Sequence, residues 1–257
     1  MADKAPQFSV RLARDQAEIR AAQRLRYEVF IAELGGAGAG VDHDARLETD
    51  PFDRFVDHLI LWDGQRPGEA VGVYRLLRED GARAAGQFYS EDEYDLAALR
   101  GSGRRLLELG RSCLHSDYRG GTAMMHLWQA LADYVVAHEI EILFGVASFH
   151  GTDIAALHQP LSLLAHRHLA PEDLRVRARQ YQRMDLVPPE EVDRKQALLQ
   201  IPALIKAYLR LGGVVGDGAF VDHAFNTTDV CLVMDTERMN ARQKGLYARA
   251  GAGGAGT

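Results

Sequence analysis

The chain has 257 residues, 47% of them hydrophobic and 26% charged, and it is long enough to bury the core of one large domain. A formal net charge of -6 argues against a broad cationic surface for nucleic acid, so no nucleic-acid partner is expected. The two cysteines, Cys113 and Cys231, are too far apart in sequence for a disulfide framework. No apolar run approaches the roughly 18 residues of a spanning helix, and residues 1–10 lack a secretory signal. These features predict a cytoplasmic protein whose membrane contact, if any, is peripheral.

Hydrophobic periodicity predicts an α+β chain that begins with a strand and a helix. In order, the patterns predict a strand at 8–12, a helix capped by Asp15, a long loop over 35–53, and a hairpin of 58–62 with 70–76. The second half predicts a strand at 105–113, a glycine turn, a helix at 124–138, a buried strand at 142–147, helices at 154–168 and 189–211, and strands at 214–221 and 228–235. Pro202 is expected to kink or break the last helix.

This order predicts a single domain over residues 8–239, with a helical insertion at about 154–211. Residues 1–7 and 250–257 are predicted to be flexible ends, since they contain almost nothing that a core can bury.

A glycine turn lies between the predicted strand at 105–113 and the helix that follows it. It contains Arg119, Gly120, Gly121 and Thr122. Glycines at a helix start let backbone N–H groups approach a phosphate, and the helix dipole favours the anion. The turn is therefore a candidate cradle for the phosphate of an acyl donor, although a tight turn without a ligand needs the same glycines.

Acidic residues cluster in and after the long loop. They are Asp42, Asp44, Glu48, Asp50, Asp53 and Asp57. Clustered carboxylates repel one another unless a cationic substrate, a metal or nearby arginines neutralise them, and a solvated acidic loop is the alternative. The spacing does not match a calcium loop.

Glu108 stands between leucines in a predicted strand. Burial would raise its pKa toward values that suit a base for an ammonium group, while an ion pair with Arg111 is the structural alternative. The histidines show no metal-binding spacing, so no metal site is expected.

Four motifs occur in an order that resembles the acyl-homoserine-lactone synthases and their relatives in the GNAT acyltransferase superfamily. They are Leu25-Arg26-Tyr27-Glu28-Val29-Phe30, Glu48-x-Asp50-x-x-Asp53 followed by His58-Leu59, Tyr74-Arg75-Leu76-Leu77, and Glu108-Leu109-Gly110-Arg111. The resemblance implies a twisted, mostly antiparallel central sheet with flanking helices and a splayed cleft for the acyl donor.

A closer resemblance, over about residues 8–239, is to the ornithine acyltransferase family. It is carried by Glu108-Leu-Gly-Arg111-Ser-Cys113, Tyr118-Arg119-Gly120-Gly121, Trp128, Phe149-His150-Gly151-Thr152 and Phe225-Asn226-Thr227-x-Asp229. The resemblance implies transfer of a 3-hydroxyacyl group from acyl carrier protein to the α-amine of L-ornithine. That reaction forms lyso-ornithine lipid as the first step of ornithine lipid biosynthesis, with no cofactor besides the thioester.

The resemblance to the acyl-homoserine-lactone synthases implies roles for individual residues. Glu108, as base, and Arg111 occupy catalytic positions. The substrate-binding positions are Arg26, Phe30, Asp50, Asp53 and Arg75. Asp50 and Asp53 would bind the side-chain ammonium of ornithine, and Arg75 or Arg26 its carboxylate. Alternatively, these arginines and aspartates pair with one another and hold the loop.

Partner surfaces are expected in two kinds of segment. Acyl carrier protein is acidic, so either of two arginine-rich stretches could dock it: Arg100, Arg104, Arg105 and Arg119, or Arg175, Arg177, Arg179 and Arg183. For the second stretch, ordinary solvated arginines and a contact with anionic lipid are the alternatives. The late helix at 189–211 is apolar on one face, which is core, a cover for the acyl chain, or a contact with membrane lipid.

Two rival functions remain. A lactone synthase would use S-adenosylmethionine, but the longer C-terminal half with Phe225-Asn226-Thr227 argues against it. Separately, Thr122 departs from the glycine pattern of the superfamily's phosphate loop, so the predicted phosphate cradle is degenerate. A non-catalytic acyl-carrier or lipid-binding module on the same fold is the other alternative. The pattern leaves open the acyl chain length, the oligomeric state and the partner that adds a second acyl chain.

Overall fold

The computed structural model describes residues 5–239, and most of its long elements lie where the periodicity predicts them. The strands are β1 (Phe8–Leu12), β2 (Val41–Asp42), β3 (Leu47–Glu48), β4 (Asp57–Asp63), β5 (Ala70–Arg78), β6 (Tyr94–Asp95), β7 (Leu106–Leu114), β8 (Ile142–His150), β9 (Arg177–Ala178), β10 (Val214–Val215), β11 (Phe220–Asp222) and β12 (Thr227–Asp235). The α-helices are α1 (Gln16–Arg26), α2 (Glu79–Ala85), α3 (Ala97–Gly101), α4 (Ala123–Ala137), α5 (His158–His168), α6 (Arg194–Gln200) and α7 (Ala203–Arg210). Of the ends predicted to be flexible, residues 1–4 and 250–257 lie outside the described residues, and residues 5–7 have no regular structure.

The chain divides into two compact units. Among the described residues, the first unit holds 5–85 and 109–139, and the second holds 86–108 and 140–239. Strand β7 therefore contributes its first three residues to the second unit and the rest to the first. The single domain over 8–239 stays a prediction.

In the first unit, β4 pairs antiparallel with β1 and with β5, which confirms the predicted hairpin. Ile60 and Val73 lie on the face under α1, in a core whose other buried members are Ala21, Ala22, Leu25, Val29, Ala70 and Cys113. Gly72 faces α4, and a Cβ there would lie 2.9 Å from a methyl carbon of Leu127. Glycine at this position therefore allows α4 to pack closely on the strands.

In the second unit, β8 pairs antiparallel with β12 along its whole length, from Ile142↔Asp235 to His150↔Thr227. β7 pairs with β8 in parallel over Leu106–Glu108, and β10 and β11 add to β12. The ring of Phe88 meets that of Phe144 edge-on at 5.0 Å. The mixed, mostly antiparallel pairing confirms the predicted α+β class.

The late helices depart most from the prediction. The expected helix at 189–211 is a 3₁₀ turn (Pro189–Glu191) followed by α6 and α7, which are separated at Ile201 and Pro202. Ile201 is extended (ψ 129), as the residue before a proline prefers, and this stops α6. The predicted strand at 214–221 is likewise divided into β10 and β11, with Gly218 between them in a left-handed conformation (φ 81).

None of the helices in residues 5–239 combines the length and the apolar content that crossing a membrane requires.

Candidate active site

Three arginines and three carboxylates of the first unit form one buried ion-pair network. Its members are Arg26, Arg75, Arg111, Glu48, Asp50 and Asp53. Arg26, at the end of α1, forms a forked pair with Asp53, with Nη1–Oδ1 2.6 Å and Nη2–Oδ2 3.2 Å. Its Nε donates to the Glu48 carboxylate, and Nη2 donates to the Glu48 carbonyl oxygen at 2.9 Å. α1 and the acidic loop are thereby fixed to each other.

Asp50 is shared between the other two arginines. Its Oδ1 lies 3.0 Å from Arg75 Nη1, and its Oδ2 accepts from Arg111 Nη2 at 2.9 Å. Asp50 also caps a 3₁₀ turn (Pro51–Arg54), because Oδ1 accepts from the Phe52 N–H at 2.8 Å. Asp53 completes a capping box by accepting from the Asp50 N–H at 3.2 Å. The D-P-x-D sequence therefore orders the loop that presents its carboxylates.

The arginines lower the pKa values of these aspartates by more than burial raises them. Burial alone would raise the pKa of Asp50, but Arg75 and Arg111 hold that pKa below its ordinary value. Burial likewise opposes ionisation of Asp53, and Arg26 lowers its pKa overall. The arginines thus favour the charged forms of Asp50 and Asp53, and the formal charges of the three arginines and three carboxylates cancel.

The structure thus shows the alternative in which arginines and aspartates pair with one another. Arg26 and Arg75 are 1% and 3% exposed, so their guanidinium groups face protein rather than solvent. Phe30 is half-buried and packs against the core under α1. Substrate contact by Arg26, Phe30, Asp50, Asp53 and Arg75 stays a prediction.

Two backbone irregularities flank the network. After Arg26 the helix widens into a π-helix, Tyr27–Glu33, a form often found at functional sites. Arg111 lies within β7 with φ at 49°, a left-handed conformation that costs a non-glycine residue about 1 kcal/mol or more. The side chain of Arg111 is 14% exposed, more than those of the other two arginines. Arg111 is therefore the guanidinium of the network that solvent reaches best.

Glu108 lies in the second unit and is buried, as its leucine neighbours predict. Its Oε1 accepts from the Ser90 N–H at 2.6 Å and from the Ser90 hydroxyl, and its Oε2 accepts from the Tyr89 N–H at 2.7 Å. Three donors on one carboxylate stabilise its charged form and hold the Tyr89–Asp92 turn against β7. The role of Glu108 as a base stays a prediction, and Ser90 is a contact that the sequence did not reveal.

The glycine turn leads into α4 as predicted. Gly120 has φ at 77°, which suits glycine, and Gly120, Gly121 and Thr122 are exposed. No side chain caps α4, and its first turn contains no acidic residue. The N–H groups and positive dipole end of a 15-residue helix are therefore open to an anion.

The side chain of Arg119 stabilises this turn through hydrogen bonds. Its Nη2 donates to Glu33 at 2.7 Å and to the Leu114 carbonyl oxygen at 3.1 Å. Beside it lies a cleft of about 280 Å³, lined by Glu28, Val29, Ala32, Glu33, His115 and Ser116. Glu33 is paired with Arg119, and Glu28 is paired with Arg46, so the cleft walls carry little net charge.

Carboxylates that could hold a cation meet in the second unit. One oxygen each from Glu93, Asp222 and Asp229 lies within 4.8 Å of the others. Carboxylate oxygens suit hard cations, but acidic groups of this kind are common without an ion. The absence of a metal site stays a prediction.

Comparison with known proteins identifies the family. Residues 25–129 match the model of the acetyltransferase (GNAT) domain. Over 246 residues the chain is 65% identical to the L-ornithine N(alpha)-acyltransferase of Rhodobacter capsulatus, covering 94% of this chain and 95% of that protein. The chain belongs to the L-ornithine N(alpha)-acyltransferase family. The enzyme of the same name from Brucella abortus is 44% identical over 248 residues, 93% of this acyltransferase and 88% of that one.

Solved structures confirm the GNAT fold of this acyltransferase. FeeM, an N-acyl amino acid synthase from uncultured soil microbes, superposes with a TM-score of 0.54 at 14% identity, covering 94% of this chain and 99% of that one. The acyl-homoserine-lactone synthase LasI superposes with a TM-score of 0.52 at 16% identity, covering 95% of each chain. At these identities the likeness concerns the fold alone.

Most of the arginines expected to dock a carrier protein are engaged within the acyltransferase. Arg104 pairs with Asp235, Arg100 with Glu91, and Arg119 with Glu33. In the second stretch, Arg177 pairs with Asp217 and Arg183 with Asp185. Charge composition revealed the arginines but not their partners, and those of Arg104, Arg119 and Arg177 come from distant parts of the sequence.

We predict that Arg26→Gln lowers the free energy of unfolding by about 3–5 kcal/mol, because Glu48 and Asp53 would keep buried charges without their main cation. Arg46→Gln is the matched control, since it breaks a forked pair with Glu28 in which both side chains are exposed. The control should cost far less, because solvent screens that pair. Urea unfolding followed by circular dichroism measures both variants, and equal losses would contradict a structural role for the network.

A second prediction concerns pH. The pKa of Asp50 is lowered on folding, so its stabilising contribution is full above the ordinary aspartate value of about 3.9 and is lost as pH falls through the lower folded value. Arg111→Gln removes one cause of this lowering. The stability deficit of Arg111→Gln should be largest near pH 7, should shrink below about pH 4, where Asp50 of the unfolded chain takes up a proton, and should be lost once the pH falls below the lowered pKa of Asp50 in the folded protein. Urea titrations at pH 7, 5, 4 and 3 test this, and a deficit that does not change with pH would refute it.

Proposed function

We propose that the enzyme transfers a 3-hydroxyacyl group from the thioester of acyl carrier protein to the α-amine of L-ornithine, forming lyso-ornithine lipid. The observation that carries the proposal is the 65% identity, over 94% of the chain, with a protein named L-ornithine N(alpha)-acyltransferase. This reaction would be the first step of ornithine lipid biosynthesis. It needs no cofactor besides the thioester, and we place it in the cytoplasm.

The chemistry requires a neutral amine and a held thioester. The α-ammonium of ornithine first loses a proton, and the free amine then attacks the thioester carbonyl carbon. The C–N bond forms and the C–S bond breaks, and the carrier leaves as a thiolate that takes up the proton released by the attacking nitrogen as it becomes the amide. We propose that Glu108 accepts the ammonium proton, directly or through water, by exchanging one of its three donors from Tyr89 and Ser90 for the amine.

The acyl donor is assigned to the turn at Arg119–Thr122. The uncapped start of α4 suits the phosphate of a carrier's phosphopantetheine group, because its N–H groups and dipole favour an anion. The neutral cleft beside Glu33 and His115 suits the uncharged polar arm that follows the phosphate. Arg119 would position the turn through its bonds to Glu33 and Leu114.

For the binding of ornithine, we propose roles for residues of the ion-pair network, as the family resemblance implies. Arg111 would donate to the ornithine carboxylate, since its side chain is the most exposed of the three, and this contact would compete with the bonds from Arg111 to Glu48 and Asp50. Arg26, Arg75 and Asp53 would hold Asp50 and Arg111 in place. The cationic side chain of ornithine would be attracted by Asp50, whose second role is to cap the loop.

The reaction is tested with purified enzyme, 3-hydroxyacyl carrier protein and either ornithine or S-adenosylmethionine, with mass spectrometry of the products. We expect N-acyl-ornithine with ornithine and no lactone with S-adenosylmethionine. A lactone would establish the synthase alternative. An intact thioester with both amines would support the non-catalytic module.

Variants of the Glu108 contacts separate a base from an anchor. Glu108→Gln should lower kcat by at least about 100-fold if Glu108 is the base. Ser90→Ala removes a hydroxyl donor to the charged carboxylate, which raises the pKa of Glu108. The acid limb of the kcat/KM profile should therefore move to higher pH in Ser90→Ala. An unmoved limb in a folded variant would mean that Glu108 only anchors the turn.

The donor assignment is tested with Thr122→Glu. A carboxylate at the start of α4 stabilises the helix through its dipole but competes with a donor phosphate. The KM for acyl carrier protein should rise about tenfold while the KM for ornithine is unchanged and thermal stability is equal or higher. Thr122→Gln, which has the same size without the charge, is the control. Equal donor KM values for the two variants would place the phosphate elsewhere.

A further inference from the structure

The pair of short helices α6 and α7 exposes leucines that the core does not use. Leu199 is 75% exposed and Leu198 is 37% exposed, whereas Ala197 and Ile201 are fully buried. α6 is tied down at its start, where the Asp193 N–H donates to Gln159 at 2.8 Å. The two leucines are therefore held outward on an anchored helix.

Cationic side chains lie on the same two helices as these leucines. Arg194 and Lys195 are exposed on α6, and Arg210 is exposed on α7. Lys206 of α7 lies beside α6, because its Nζ donates to the Leu198 carbonyl oxygen at 3.1 Å. The sequence from residue 194 to 216 contains no Asp or Glu. This part of a chain with a net charge of -6 is locally cationic.

These cations differ from the arginines of the two stretches discussed above. Across residues 5–239, no ion pair joins a carboxylate to any of them or to the neighbouring Arg167. The pKa of His168 is consistent with this local positive charge. Burial is the largest cause that lowers this pKa, and the positive charges of Arg194 and Arg167 lower it further. The nearest acidic groups along the chain precede α6, at Glu190, Glu191 and Asp193, and the Asp193 carboxylate caps the Gln196 N–H at 3.0 Å.

We propose that this α6–α7 surface, formed by Arg194, Lys195, Leu198, Leu199, Lys206 and Arg210, binds the surface of an anionic lipid bilayer. The leucines would enter the boundary between headgroups and acyl chains, and the cations would pair with lipid phosphates. Exposed leucines beside unpaired cations favour a bilayer over an acidic protein, because a bilayer offers an apolar layer for the leucines directly beneath phosphates for the cations. The inference does not depend on the proposed reaction, although an enzyme that makes a lipid would benefit from it.

The test is cosedimentation of the full-length enzyme with phosphatidylcholine vesicles that contain either no or about 30% phosphatidylglycerol. We expect binding to the anionic vesicles alone, weakened by added salt. Arg194→Gln/Lys195→Gln should weaken the partition coefficient about 30-fold, and Leu199→Ser about tenfold. The matched controls are Arg20→Gln/Arg24→Gln, exposed on α1, and Val136→Ser, 74% exposed on α4, which should stay within about twofold of the unmodified enzyme.

Three results would overturn the proposal. The first is binding to neutral vesicles as strong as binding to anionic vesicles, and the second is a loss of vesicle binding in the control variants as large as in the α6 variants. The third is unchanged vesicle binding by α6 variants that lose affinity for acyl carrier protein, which would make the surface a protein-docking site. N-acylation measured without vesicles keeps this inference separate from the proposed reaction. The α6 variants should retain that activity whether or not the enzyme binds lipid.

Discussion

The buried pairing of Arg26, Arg75 and Arg111 with Glu48, Asp50 and Asp53 is the constraint around which the first unit is arranged. The loop that supplies the carboxylates has few apolar side chains, so it cannot be fixed by a hydrophobic core of its own. Charged groups withdrawn from water must each find a partner, and leaving one unpaired costs several kcal/mol. Complete pairing therefore fixes the end of α1, two strands and the loop in one arrangement.

The elements that could be predicted are those in which local pattern and burial agree. The alternation in β1 and the apolar runs of β5 and β8 predict strands, and Asp15 predicts the start of α1, where its carboxylate accepts from the Glu18 N–H at 2.9 Å. α2 was missed because its glycine and charged residues resemble a loop. The length of the last helix was overestimated, although Pro202 correctly marks the break.

The members of the buried ion-pair network are among the residues that the sequence singles out, but their individual contacts were not predictable. The order of the motifs suggests that Arg26, Asp50 and Arg111 belong to one site. It does not indicate whether an aspartate contacts a substrate or an arginine. That choice depends on distances between segments far apart in sequence. The same limit applies to Glu108, for which burial was predictable, but the donors on Ser90 and Tyr89 were not. Burial makes a carboxylate more basic, and hydrogen bonds to its charged form make it less so.

The placement of positive charge follows from this internal pairing. Arginines whose charge is matched by a buried or adjacent carboxylate present little field to a distant anion. Among residues 5–239, the uncapped start of α4 and the unpaired cations on α6 and α7 are both open to anions. A helix end offers directed N–H groups, which suit one phosphate at close range. Lysine and arginine beside exposed leucines suit many phosphates above an apolar layer, so the two features favour different anionic partners.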